Sequence, residues 1–254
     1  MRGPTTDPTR LLPPADPPPL PGPPLLRQGW RDAVFAHWPI PPGRAAPLLP
    51  AHTRPDILDG VTYVGLVAFR VPFTRAVGIP VGGFDEVNVR LYSVDSHGRR
   101  GVVFLSMDAD AAHSVLAARA LTGLPYMWSD ISVHRADDVH ACSVRRRVTS
   151  GGARGSWRLT VGERLDRASP LERFVTARWG LHTRHAAHTW WIRVEHRPWP
   201  LHRVRSWSYE GDLLRAAGVH VGEREPISVL WSPGVDTDVC PSLVTAPRVR
   251  ALGA

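Results

Sequence analysis

The sequence predicts a mainly β (α+β) fold, an antiparallel sheet or barrel with a few peripheral helices. Three observations carry this. Runs rich in β-branched and aromatic residues have strand length, and one of them alternates polar and apolar residues without a break. Helix signals are confined to three isolated segments, whereas a βαβ array would need helices between successive strands. With 254 residues the chain suits one large domain with a sizeable core.

Residues 1–27 contain ten prolines and almost no aromatic or β-branched side chains. Such a stretch offers little apolar area to offset its ordering entropy, so it is expected to be a disordered or polyproline-like arm making few contacts. The folded domain is expected over residues 28–240, followed by a short C-terminal tail, 241–254. Val61 to Val71 reads as a well-buried strand. In Glu86 to Val94, Val87, Val89 and Leu91 share one face and Glu86, Asn88, Arg90 and Tyr92 the other. The stretch Asp95 to Gly98 has turn chemistry, and Val102 to Met107 is the returning strand of the hairpin. Trp190 to Glu195 and Ile227 to Trp231 are further strands. A helix is expected over Ala109 to Leu121, capped by Asp108 or Asp110 and stopped by Gly123 and Pro125. Ser169, Pro170 and Glu172 form a capping box that opens a second helix through about Trp179. Asp212 to Ala217 is a third, short one, ended by Gly218.

All 31 basic residues are arginine, and the sequence contains no lysine. A lysine Schiff base, a P-loop phosphate lysine and a Ser-x-x-Lys nucleophile are therefore excluded. The net charge of +8 invites a nucleic-acid reading, but the arginines are scattered and the densest run, Arg145 to Arg147, is three residues long. No segment approaches the length of a membrane span, and two cysteines are too few for a disulfide framework, so a cytoplasmic location is expected. No metal or cofactor motif is present. His182, His185 and His188 recur every three residues in a polar stretch, where solvated loop histidines are the expectation and metal ligands the lesser reading. Trp30, Phe35 and Trp38 read as core rather than as a ligand platform.

The polar face of the 86–94 strand is the main candidate for chemistry. It is either solvent-exposed, as in many antiparallel sheets, or it lines a barrel interior. In the second case Glu86, Asn88 and Arg90 point into a cavity while Val87, Val89 and Leu91 pack against an outer layer of helices.

The segments DGVTYVGLVAFRV (59–71), FDEVNVRLYSVDSHGRRGVVFLSMDA (84–109), ARALTGLPY (118–126), SPLERFVTARWGLHTR (169–184) and EHRPWPLHRV (195–204) resemble the YqjF-like bacterial family, a domain of unknown function. That family is distantly similar to acetoacetate decarboxylase, which implies an acetoacetate-decarboxylase-like antiparallel β-barrel with an internal cavity. The resemblance places Glu86 at an active-site glutamate and Tyr126 at the Schiff-base lysine, with Met127 beside it. The barrel is then shared and the decarboxylase mechanism is not.

The expected site therefore holds Glu86 and Tyr126 as catalytic candidates, with Asn88, Arg90 and Arg119 as ligand-binding residues. A buried glutamate can exchange a proton, a tyrosine can donate to a carbonyl oxygen, and an arginine can hold a carboxylate. The competing reading is a structural network in which Glu86 pairs with Arg90 and with the Tyr126 hydroxyl. Arg119 can equally face the C-terminal dipole of its helix. His196 and Trp199 belong to the family motif, with no mechanism attached to them. The expectation is a small carbonyl or carboxylate ligand, turned over by an enzyme or held by a non-enzymatic sensor or scaffold, with no cofactor.

Overall fold

The structure is a computed structural model and describes residues 12–111, 123–147 and 152–240. Twelve strands dominate: β1 (Leu26–Ile40), β2 (Thr53–Pro55), β3 (Thr62–Ala76), β4 (Ile79–Asp95), β5 (Arg100–Ala109), β6 (Tyr126–Ala136), β7 (Val139–Arg146), β8 (Arg154–Arg164), β9 (Gly180–His185), β10 (His188–His196), β11 (His202–Gly211) and β12 (Ser228–Cys240). The helices are short: α1 (Pro42–Ala45), α2 (Pro170–Thr176) and α3 (Leu213–Ala216). No helix among the described residues is long and apolar enough to cross a membrane.

The strands close on themselves twice. One ring of nine runs β1, β3, β4, β5, β6, β7, β8, β11, β12 and back to β1. A second ring of seven uses the wall β12, β1, β3, β4, β5 again and closes through β9 and β10. Neighbours are antiparallel except where β5 meets β6 and β9. Each ring has its own core. Trp38, Leu66, Val87, Val89, Leu91, Val144 and Trp157 fill the first, with Leu213 and Leu214 of α3. Tyr63, Tyr92, Val102, Leu181, Ile192 and Val194 fill the second, with Phe174 and Val175 of α2. Because both faces of the shared wall are buried, β1 and β3 carry apolar side chains on both sides, which hides their alternation in the sequence.

The expected hairpin and capping box are present. Gly98 N–H donates to the Asp95 carbonyl at 3.0 Å, and Asp95 Oδ1 accepts from the amides of His97 and Arg99. Ser169 Oγ accepts from Glu172 N–H while Glu172 Oε2 accepts from Ser169 N–H. The helix ends at Thr176 rather than near Trp179, since Ala177 leaves helical geometry (φ −82°, ψ 74°) and Arg178 and Trp179 turn inward. Of the expected helix over Ala109 to Leu121, residues 112–121 lie outside the described residues, while Ala109 itself ends β5. Asp108 lies in β5, fully buried, and accepts from Arg146 Nε (2.7 Å), Arg146 Nη2 (2.9 Å) and Ser129 Oγ (2.7 Å).

The described part of the proline arm corrects the expectation of few contacts. Pro13 is buried and its carbonyl accepts from Arg173 Nε, while the Pro14 carbonyl accepts from Trp179 Nε1. Arg193 Nη2 donates to the Pro18 and Pro19 carbonyls, and Leu20 N–H donates to Glu195 Oε2. Proline carbonyls keep full acceptor strength, and a chain already restricted in φ loses little entropy on docking. A protein beginning at Pro21 is expected to melt several degrees lower, because lost net hydrogen bonds cost about 1 kcal/mol each and about 2–4 °C accompany each kcal/mol at this size. An unchanged melting temperature would return the arm to the role of a passive tail.

Candidate functional site

The polar face of β4 lies inside the second ring. Glu86 and Asn88 are 4% and 1% exposed, so the open-solvent reading of this face fails. The opposite face differs from expectation: Val87, Val89 and Leu91 meet the other strands of the nine-membered ring and the single turn of α3, not a layer of helices. Strand register sets what stands beside the polar residues. His37 of β1 is opposite Gly65 of β3, which is opposite Arg90; Phe35 is opposite Val67, which is opposite Asn88; Phe69 is opposite Glu86.

The small residue at position 65 is required by this layout. A Cβ there would sit 2.8 Å from His37 Nε2 and 3.2 Å from Tyr92 Oη, whereas those two atoms are 2.6 Å apart across the glycine. Tyr92 donates its hydroxyl proton to the Val175 carbonyl at 3.1 Å, so His37 Nε2 and Arg90 Nε both donate to its oxygen. His37 is thereby fixed as the Nε2–H tautomer, and its buried Nδ1 has no partner among the described residues. Burial, reinforced by the charges of Arg90 and Arg178, holds its pKa well below the usual histidine value.

Glu86 Oε1 accepts from Asn88 Nδ2 at 3.0 Å and Oε2 accepts from Tyr126 Oη at 3.3 Å. Loss of water raises its pKa to about 7, against the opposing pull of Asn88, Tyr126 and Arg90. The Tyr126 phenol is pushed well above its usual range, first by burial and then by the Glu86 charge, so it serves as a donor and not as a base. Asn88 Oδ1 is buried without a partner among the described residues.

Arg90 makes no direct pair with Glu86. Its Nη2 donates to the Val175 carbonyl at 3.1 Å, and its guanidinium carbon lies 5.6 Å from the Phe35 ring centroid and 5.7 Å from that of Tyr92. Among the described residues no carboxylate lies within ion-pair distance of it. Arg119 lies outside the described residues.

Several neighbours carried no functional reading in the sequence. Phe35 and Trp30 belong to this side of the wall, while Trp38 lies in the first core as expected. His196 ends β10, and Pro198 and Pro200 turn the chain so that Trp199 reaches back over Phe35 and Trp30. Burial lowers the His196 pKa to about 4, assisted by Arg90, while the hydrogen bond to the Arg197 carbonyl opposes the shift. The motif EHRPWPL was the one signal for these residues. The three spaced histidines do not converge: His182 is a fully buried strand residue 2.8 Å from Ser93 Oγ, and His185 and His188 face each other at the β9–β10 turn. No group of three or more potential metal ligands exists among the described residues.

In fold this β-barrel is similar to the acetoacetate-decarboxylase-like proteins. Acetoacetate decarboxylase from Legionella pneumophila superposes with a TM-score of 0.59 at 13% identity over 88% of each chain. The enduracididine biosynthesis enzyme MppR complexed with pyruvate gives 0.55 at 13% identity, over 88% of this chain and 90% of that one. Within that architecture the chain belongs to the DUF2071 family, described as an uncharacterized conserved protein, whose model matches residues 27–236. The uncharacterized protein YqjF of Bacillus subtilis (strain 168) is 27% identical over 208 residues, 80% of this chain and 86% of its own.

Proposed function

We propose that the protein binds a small carboxylate or carbonyl compound inside the second ring, with Arg90 as the anchor. The observation that carries this reading is the Arg90 guanidinium, held on an interior strand face with no carboxylate to neutralise it among the described residues. Interior arginines are ordinarily paired, as Arg178 and Arg146 are here. A ligand carboxylate supplies the missing charge. The pyruvate named with MppR has this chemistry, a carboxylate next to a carbonyl.

Should the ligand be turned over, the available chemistry is proton transfer. Glu86, with a pKa near 7, can take a proton from the carbon beside a carbonyl. Tyr126 can then donate a hydrogen bond to the oxygen that gains charge. No lysine exists to form an imine, so decarboxylation through a Schiff base is outside this chemistry. A phosphate-binding surface is not favoured, since Arg27, Arg31, Arg145, Arg147, Arg203 and Arg205 each pair with a carboxylate at the surface.

Calorimetric titration with pyruvate tests the anchor. Arg90→Gln is expected to weaken binding roughly 10- to 100-fold, corresponding to about 1.5–3 kcal/mol for hydrogen bonds to a charged group. Equal affinity in the variant and the natural protein would remove Arg90 from the site. A ligand recovered unchanged after long incubation would favour a sensor over an enzyme.

A further inference from the structure

The second ring contains an aromatic corner that starts at Arg90. From Phe35, under the guanidinium, the ring contacts run to Trp199 edge-on at 5.0 Å, then to Trp30 nearly parallel at 6.0 Å and 11°, then to Phe69 at 5.1 Å. Phe69 is in register with Glu86, so the row begins and ends beside the polar face of β4. Phe35 is closed to water, but Trp30, Phe69 and Trp199 are only half-buried, and so is Arg90, while Asn88 and Tyr92 on either side of it are buried. The partly exposed residues on this wall are therefore Arg90 and, one ring further along past Phe35, the indoles. The wall behind is lined by small residues, Val67 opposite Asn88 and Gly65 opposite Arg90.

His196 adds a polar point to the same corner. Its ring lies 5.1 Å from Trp199 and 5.8 Å from Trp30. Nδ1 is 2.7 Å from the Arg197 carbonyl, which can only accept, so Nδ1 carries the proton and Nε2 is a bare acceptor. Nε2 has no hydrogen bond among the described residues.

We propose that this corner is a subsite for an aromatic ring, and that the ligand class is an aromatic carboxylate with its carboxylate on Arg90 and its ring against Trp199 and Trp30. The inference rests on the carboxylate reading of Arg90 and narrows it. Flat apolar faces beside a positive charge select a ligand with the two complementary features joined by a short link. A methyl-sized substituent, as on pyruvate, leaves the indole faces uncovered.

The test compares pyruvate with phenylpyruvate on the full chain by calorimetry. Phenylpyruvate is expected to bind at least about tenfold more tightly, the factor that one well-covered aromatic contact supplies. Trp199→Leu is expected to abolish that preference while leaving pyruvate affinity within about threefold, and Trp199→Phe is expected to restore most of it. Equal affinity of the natural protein for the two acids overturns the aromatic subsite and leaves the carboxylate reading standing. Binding of neither acid overturns both. A preference undiminished in Trp199→Leu overturns the assignment to this corner. The comparison of acids on the natural protein needs no variant to fold.

Discussion

Asp56→Ala is expected to cost about 3–5 kcal/mol of folding stability, the loss typical when one partner of a buried ion pair is removed. Asp56 is 2% exposed and lies between β2 and β3, with its amide donating to the Tyr92 carbonyl at 3.0 Å. Its Oδ1 accepts from Arg100 Nη1 at 2.5 Å and its Oδ2 from Arg178 Nη1 at 2.6 Å. Arg178 is itself 5% exposed, stacked 4.3 Å from the Phe174 centroid and 4.8 Å from that of Tyr92, with Nε donating to the Phe174 carbonyl. Burial depresses the Arg178 pKa, and Asp56 is the main group that opposes this. Alanine at position 56 leaves two guanidinium groups facing each other in the second core with no counter-charge. The same aromatic ring that Arg178 stacks on, Tyr92, receives Arg90 Nε, so the loss also loosens the anchor of the proposed site. Urea unfolding measures the effect. A loss below about 1 kcal/mol would mean that water replaces the carboxylate and that the cluster is hydrated.

The parts of the fold legible in the sequence were those whose pattern is local. The β4–β5 hairpin combines a clean alternation with the turn residues Asp95 and Gly98, and the capping box at Ser169 is complete within four residues. β1 was not legible because Ala33, Val34, Phe35, Ala36, His37 and Trp38 are all buried: the strand divides two cores and has no polar face. That also explains why Trp30 and Phe35 read as ordinary core. The strands β6, β7, β8 and β11 close the nine-membered ring with short inward rows, such as Trp157 and Leu159, between exposed arginines and serines.

The same distinction governs the site. Glu86, Asn88 and Arg90 share a face by a period of two, which needs no knowledge of pairing. The approach of Tyr126 to Glu86 was reached through resemblance alone. His37, His196 and Trp199 join them through the registers of β1, β3 and β4 and through the turn after β10, and register is a property of strands already paired. Direct pairing of Glu86 with Arg90 was the bland alternative, and the structure replaces it with separate partners: Asn88 and Tyr126 for the carboxylate, Tyr92 and Val175 for the guanidinium.

That separation gives Glu86 its second measurable consequence, a dependence of stability on pH. A carboxyl whose pKa rises from 4.5 in the unfolded chain to about 7 in the folded protein binds its proton more tightly when folded. Between those two pH values the folded state holds a proton that the unfolded state has released, so stability falls as the pH rises through this window. At about 1.4 kcal/mol per pH unit the loss amounts to roughly 3 kcal/mol, present in full below about pH 4.5 and gone above about pH 7. His37 and His196 act in the opposite sense, because their depressed pKa values cost stability as the pH falls below the ordinary histidine range. The difference between the natural protein and Glu86→Gln cancels those contributions and isolates the carboxyl. Gln keeps the shape and one acceptor oxygen and has no charge to bury. The two proteins are expected to be closely matched near pH 4.5, with the Gln variant more stable by about 3 kcal/mol at pH 8. Curves that stay parallel from pH 4.5 to 8 would show Glu86 ionising as it does in water, which would remove both the buried acid and its use as a proton-transfer group. A divergence in the expected direction places a carboxyl that is half-ionised near neutral pH next to an arginine with no carboxylate among the described residues. The protonated form of such a carboxyl removes a negative charge from the neighbourhood of Arg90, so an anionic ligand should bind more tightly as the pH falls through about 7.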